Sequence, residues 1–138
     1  HLYTLLAAEG VILDAYCYCP HHPDADMPEY RERCACRKPA SGMLVSAAER
    51  FGVGLTSSWM IGDILDDIEA GNRAGCKSIL LLNGGETEWR PGARRRPFRQ
   101  VKSLTDAVDT ILTMTGGLTS GYRRSLEGVY KPALHQTR

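Results

Sequence analysis

Cys19-Pro-His21, twelve intervening residues, and Cys34-Ala-Cys36 set three thiols and one imidazole in two tight pairs. Each pair can chelate, and together they form the donor set of a closed tetrahedral zinc site, which would pin residues 19–36 as a metal loop. Arg37-Lys38-Pro39 follows at once, so two cations stand at the base of that loop. Fixed cations beside a metal offset the negative charge that phosphoryl transfer spreads over its equatorial oxygens. Taken alone, a surface Arg-Lys pair is more often a solvated one. A third cluster is Gly62-Asp63-Ile64-Leu65-Asp66-Asp67, where an aspartate closes an apolar run and two more carboxylates follow within one helical turn. Such a group suits a hard, oxygen-seeking cation such as Mg²⁺, which keeps several waters and borrows substrate phosphate oxygens. The competing reading is that Asp63 and Asp66 cap a helix N-terminus and complement its dipole.

The elements that must hold these residues alternate between helix and strand patterns, the mark of a parallel sheet covered by helices. Residues 2–9 read as a helix closed by Gly10, and 11–13 with 15–19 as a buried strand running into the cysteine loop. Four prolines between 20 and 40 exclude a regular element there. Ser41 stands in N-cap position before a helix ending at Gly52, with Met43, Leu44, Ala47, Ala48 and Phe51 at helical spacing. Residues 59–61 form a short strand, 64–74 a helix stopped by Gly75, 78–82 a buried strand, 98–101 a weak strand and 105–114 a helix. Polar groups at the carboxyl ends of parallel strands line the crevice of such a sheet, which places Asp63 there. The domain spans residues 1–115. Residues 116–138 lack any hydrophobic period and read as a loosely held tail.

At 138 residues, 43% hydrophobic and 24% charged, the chain is one globular domain or a large piece of one. Seventeen basic and sixteen acidic residues are mixed along it, which implies neither nucleic acid nor an anionic membrane as partner. The exception is the arginine-rich stretch 90–99, read as a solvated loop with anion contact as the alternative. No apolar run nears the ~20 residues of a membrane span, and the start does not resemble a signal peptide, so the expected location is the cytoplasm. Five cysteines, an odd number with a histidine among them, favour metal in a reducing compartment over a disulfide framework. Cys76, alone after Gly75, reads as a small buried hydrophobe.

Taken in order, the metal loop, Arg-Lys-Pro, amphipathic helix, strand and Gly-Asp-x-x-Asp-Asp resemble the haloacid dehalogenase superfamily. Within it they are most similar to the D-glycero-D-manno-heptose-1,7-bisphosphate phosphatases. Tyr18-Cys19-Pro20-His21-His22-Pro23, Cys34-Ala-Cys36-Arg37-Lys38-Pro39 with Gly42-Met43-Leu44, and Met60-Ile61-Gly62-Asp63 carry the resemblance, which runs from about residue 2 to residue 114. It implies a Rossmann-like three-layer α/β/α fold with a mainly parallel sheet. Cys19, His21, Cys34 and Cys36 would be structural zinc ligands, with His22 and Cys17 as the neighbouring rivals. Lys38 would stabilise the transferring phosphoryl group, Arg37 would contact substrate phosphate, Asp63 would bind magnesium, and Asp66 and Asp67 would support it. The implied substrate is a small phosphorylated sugar on the way to lipopolysaccharide precursors, and the implied full-length state is a monomer.

Members of the superfamily begin with a strand ending in Asp-x-Asp-Gly-Thr, whose first aspartate attacks phosphorus and whose second is general acid and base. The sequence contains no such motif; Asp24-Ala-Asp26 has the spacing but sits among prolines inside the cysteine loop. The expectation is therefore that the N-terminal strand–helix units lie upstream of His1, leaving the sheet incomplete and this chain inactive alone and prone to associate. Two further readings stand beside the heptose enzyme. One is a histidinol-phosphate phosphatase, for which a shorter spacer between the metal pairs is expected; the other is a catalytically dead, zinc-stabilised binding remnant.

Overall fold

The computed structural model describes residues 2–87 and 89–116. Three parallel strands form one sheet in the order β1 (Trp59–Gly62), β2 (Lys77–Leu81), β3 (Arg99–Val101). Trp59 pairs with Lys77 and Ile79 with Arg99, so each strand is shifted in sequence but aligned at its carboxyl end. Parallel neighbours need a crossover, supplied here by α3 (Leu65–Ala74) between β1 and β2. α4 (Leu104–Met114) follows β3, and its N-cap Ser103 accepts a hydrogen bond from Asp106 N.

Successive residues of a strand face opposite sides, and β2 uses this to cover both faces of the sheet. Leu80 packs with Leu65 and Ile68 of α3, whereas Ile79 packs with Val101 and with Ala107 of α4. Trp59, Ile61, Leu81 and Ile111 extend the second cluster. The result is a parallel sheet covered by helices on both faces, as the alternating pattern predicts, in the three-layer α/β/α arrangement that the resemblance implies. Gly71 lets α3 lie close on the sheet, since a side chain there would meet Ser78 Oγ at 2.5 Å and Met60 Cβ at 2.7 Å.

α1 (Leu2–Ala8) ends before Gly10, whose φ of 73° takes the left-handed conformation expected of a helix stop. α2 (Gly42–Phe51) is closed in the same way by Gly52. Ser41 occupies the N-cap position of α2 but makes no side-chain capping bond. Its backbone carbonyl takes Val45 N instead, while Gly42 N donates to Ala35 O.

One element differs from the sequence expectation. Residues 11–19 are irregular, not a strand, and Ile12 is 88% exposed with Val11, Tyr16 and Tyr18 also open to solvent. An apolar run becomes a strand only beside a partner that takes its backbone hydrogen bonds. Among the described residues β1 pairs with β2 alone, and no strand lies beside 11–19. The other boundaries move by one residue or two. The tail read at 116–138 lies, beyond Gly116, outside the described residues.

Candidate active site and metal centre

The cysteine loop folds its two pairs onto each other. The ligand atoms of Cys19, His21, Cys34 and Cys36 all lie within 4.8 Å of one another. The three sulfurs are 2.9 to 3.2 Å apart, and His21 Nδ1 is 3.8 Å from Cys19 Sγ and 4.0 Å from Cys36 Sγ. A tetrahedral zinc with bonds of about 2.3 Å would hold its sulfurs roughly 3.8 Å apart, so a modest spreading of this cluster admits the ion. The rivals are placed elsewhere. Cys17 is exposed and outside the cluster, while His22 Nδ1 accepts a hydrogen bond from Asp24 N at 3.0 Å and closes a local turn.

The electrostatics of the cluster argue for a cation. Hydrogen bonds, first from Cys36 and then from Cys19 and His21, lower the Cys34 thiol to about 6. Cys36 is pushed up to about 12, because it hydrogen-bonds to Cys19 and Cys34 and would place a second negative charge beside theirs. Three thiolates cannot coexist at this separation without a compensating positive charge, which a divalent metal supplies. The donor set, its spacing and its charge all fit zinc. His21 turns Nδ1 to the sulfurs and Nε2 toward Glu32, 3.7 Å away, and an outer carboxylate of this kind orients a ligating imidazole.

The metal loop is tied to the cations that follow it. Arg37 donates from a guanidinium NH to the His21 carbonyl at 2.9 Å, bridging the two ends of the loop. A side chain at position 42 would strike the Ala35 carbonyl at 2.4 Å, so only glycine lets α2 start against the second cysteine pair. Lys38 then reaches across to α3 and forms an ion pair with Asp67. The Asp67 side chain is only 5% exposed, against 37% for Lys38. Its Oδ1 takes no hydrogen bond, so the ammonium meets it as an ion pair without an aligned hydrogen bond.

The same aspartate locates the pair at the end of β1. A Cβ at Gly62 would fall 2.2 Å from Asp67 Cβ, so the absence of a side chain there is what allows Asp67 to lie against the strand. Asp63 comes next in the chain, half-buried at the carboxyl end of β1. It does not cap α3: Ile64 holds the N-cap position without a side-chain cap, and Leu65 N donates instead to Glu86 Oε2 at 2.5 Å. The Asp63 carboxylate faces the end of β2, with Asn83 Nδ2 at 3.5 Å from its Oδ2. Gly85 makes room for it, since a Cβ at that position would lie 2.4 Å from Oδ2. A carboxylate freed from capping, with an amide beside it in an open crevice, matches the sparse oxygen donor set that Mg²⁺ takes from protein.

Asp66 and Asp67 diverge, although they are adjacent in sequence. Asp67 turns to Lys38, whereas Asp66 accepts from Arg95 at 2.7 Å. Arg95 also donates to Glu69 Oε2 at 2.7 Å, and Glu69 Oε1 takes two bonds from Arg73 at 2.6 and 2.9 Å. Arg95 therefore does not belong to a solvated loop, and its side chain is only 20% exposed. Asn72 Nδ2 donates to the Arg94 and Arg96 carbonyls and fixes the backbone around it. Sequence reading missed Arg95, Glu86 and Asn83; for Asn83 a signal existed, as a polar residue directly after a strand.

This network makes stability depend on acid. Burial alone would raise the Glu69 carboxyl, but hydrogen bonds and charge from Arg73 and Arg95 outweigh it and hold Glu69 below its ordinary 4.5. A depressed carboxyl stabilises the fold above its unfolded value, because between the two values the unfolded chain binds more protons. That contribution is lost as pH falls below 4.5 toward the folded value. Melting temperatures taken from pH 6 down to pH 3 should fall more steeply for the wild type than for Glu69→Gln, and parallel curves would remove Glu69 as the cause.

Three comparisons bear on this arrangement. Residues 35–107, from the second cysteine pair to α4, match the HAD-hydrolase-like family model. A D-glycero-beta-D-manno-heptose-1,7-bisphosphate 7-phosphatase from Photorhabdus laumondii is 44% identical over 81 residues, covering 59% of this chain and 43% of that protein. The protein of the same name from Escherichia coli K12 is 41% identical over 106 residues, covering 77% of this chain and 55% of its own length. The chain thus spans about half the length of the curated relatives it matches. The crystal structure of D,D-heptose 1,7-bisphosphate phosphatase from B. bronchiseptica, complexed with magnesium and phosphate, superimposes with a TM-score of 0.65 at 30% identity. That match covers 82% of this chain and 60% of the neighbour. With more than half its residues inside the family model, and Lys38, Asp67 and Asp63 gathered at the carboxyl end of a parallel strand, the chain belongs to the HAD-hydrolase-like family.

Proposed function

We propose that this chain forms the charge-stabilising and metal-binding side of a phosphatase site that removes one phosphate from a sugar bisphosphate of the heptose 1,7-bisphosphate type. The observation that carries the reading is the Lys38–Asp67 ion pair, seated against Gly62 and one residue from Asp63. It holds an ammonium over the crevice where a phosphoryl group would react. The naming of the relatives after heptose bisphosphate supports this substrate over histidinol phosphate.

In this reading Asp63 would hold Mg²⁺, with Asn83 beside it. The bound ion would neutralise phosphate oxygens and orient them. Lys38 offsets the charge that develops on the transferring group, and Asp67 keeps the ammonium aimed. Arg37, fixed to the His21 carbonyl, contacts substrate phosphate from the loop side. Zinc on Cys19, His21, Cys34 and Cys36 does no chemistry and sets the position of Arg37 and Lys38. The sequence has no Asp-x-Asp-Gly-Thr, so the attacking carboxylate and the resulting aspartyl phosphate belong to the portion of the relatives that this chain does not span. A thiol-rich zinc cluster is maintained best in a reducing compartment, which favours the cytoplasm. Among the described residues no helix is long and apolar enough to cross a membrane.

The deciding experiment follows phosphate release from heptose 1,7-bisphosphate and from histidinol phosphate, with and without Mg²⁺. It compares this chain with a longer polypeptide that includes the Asp-x-Asp segment. Magnesium-dependent release from the bisphosphate by the longer polypeptide alone is the expected result. No release from it, or equal release from histidinol phosphate, would end the proposal.

A further inference from the structure

Asp66 puts a carboxylate where a phosphate is meant to bind. It lines both cavities that border Lys38, one of about 680 Å³ reached from the cysteine loop and one of about 280 Å³ beside Tyr18 and Met43. Arg37 and Lys38 line the same two cavities, so a phosphate drawn to those cations meets Asp66 as well. Asp24 is the other acid lining the larger cavity. The Asp66 side chain is 37% exposed, so neither burial nor distance removes its charge from the crevice. Repulsion from one uncompensated carboxylate a few ångströms away, in surroundings open to water, weakens phosphate binding by about tenfold.

Arg95 compensates that charge. It donates from a terminal NH to Asp66 Oδ1 and from Nε to Glu69 Oε2, both at 2.7 Å. Asp66 and Glu69 lie one turn apart on the same face of α3, and a planar guanidinium can bridge two acids so placed. Glu69 is also paired with Arg73, so the four side chains carry two positive and two negative charges. Without Arg95 this face of α3 would be left with a net negative charge beside the crevice. The guanidinium is held in advance, because Asn72 fixes the Arg94 and Arg96 carbonyls on either side of it. We propose that Arg95 is a positioning residue of the phosphatase site, which neutralises Asp66 and holds it away from Lys38 so that the crevice accepts a phosphate. In this assignment the arginine-rich loop promotes anion binding without touching the anion, and Asp66 takes no part in holding magnesium. The proposal rests on the phosphatase reading above and deepens it.

The test titrates inorganic phosphate into the zinc-loaded chain at low salt with Mg²⁺ present and follows binding by phosphorus NMR. Melting temperatures on the same samples separate misfolding from lost charge. Arg95→Ala should weaken phosphate binding by about tenfold, and the loss should shrink as salt is raised. Arg95→Lys keeps the positive charge and should recover part of the affinity. Arg95→Ala combined with Asp66→Asn should bind phosphate as the wild type does, although the tie between the loop and α3 stays broken; a purely structural Arg95 predicts no such recovery. Should Arg95→Ala fail to fold, Asp66→Asn decides alone. It should bind phosphate at least as tightly as the wild type, and weaker binding would show that the carboxylate itself serves the ligand or the metal and would overturn the proposal. A wild-type chain that binds no phosphate would sink the phosphatase reading and this proposal together. Binding in the wild type that is indifferent to Arg95→Ala, or is not regained in the double variant, would overturn this proposal alone.

Discussion

Replacing Lys38 with alanine lowers phosphate release in the proposed reaction by about 10²- to 10³-fold, the usual cost of removing one preorganised group from a developing anion. Stability falls much less. Losing one partner of a fully buried ion pair costs about 3–5 kcal/mol, and losing a surface pair up to about 1 kcal/mol. Lys38 is 37% exposed and Asp67 only 5%, so the pair lies between these limits, at about 1–3 kcal/mol. Most of that cost comes from the carboxylate left behind. Oδ1 of Asp67 has no hydrogen bond to fall back on once the ammonium is gone.

A second substitution separates the two effects. Lys38→Ala combined with Asp67→Asn leaves no unpaired charge, so the double variant should regain most of the lost stability without regaining turnover. Thermal melts and phosphate release on the same three proteins provide the comparison. If turnover and stability fall in proportion, or return together in the double variant, Lys38 is a structural residue and the charge-stabilising role is wrong.

What the sequence reveals and conceals follows from the range of the interactions involved. The helices at 42–51, 65–74 and 104–114 are legible because an amphipathic period and a terminating glycine are both local signals. Strand β2 is equally plain, being a short run with both Ile79 and Leu80 fully buried. Residues 11–19 have the same apolar character, yet strand formation there depends on a neighbour distant in sequence. The candidate metal ligands are legible because chelating pairs are local, and the structure brings together the four named and leaves out Cys17 and His22. Asp67 could be placed near the site but not assigned a partner, since Lys38 is 29 residues away and nothing local links them. Arg95 was hidden by its neighbours: five arginines between 90 and 99 suggest a solvated stretch, and only the packing of that loop on α3 shows which one is consumed by Asp66 and Glu69.

Metal removal should have the broadest effect, and the fold confines where it acts. Structural zinc contributes about 10–16 kcal/mol in small modules that fold only around the ion. Here the core clusters built on Ile68, Leu80, Ile79 and Val101 include no residue of 19–36, so the sheet with α3 and α4 does not depend on the loop. Cys34→Ser, or a strong chelator, should therefore release the zinc and open residues 19–36 to proteolysis while the helical circular dichroism of the remainder persists. Turnover in the proposed reaction should fall with it, although that reading gives the four ligands no part in the chemistry. The His21 carbonyl that holds Arg37 at 2.9 Å is part of the loop, and the Ala35 carbonyl that receives Gly42 N anchors α2 to it. Loss of the ion frees both ties and leaves Arg37 without its fixed direction. Cys17→Ser, whose side chain is exposed and outside the cluster, should keep equimolar zinc and an intact loop. Full zinc occupancy in Cys34→Ser would reassign the ligands, and global unfolding on chelation would show that the sheet depends on the metal after all.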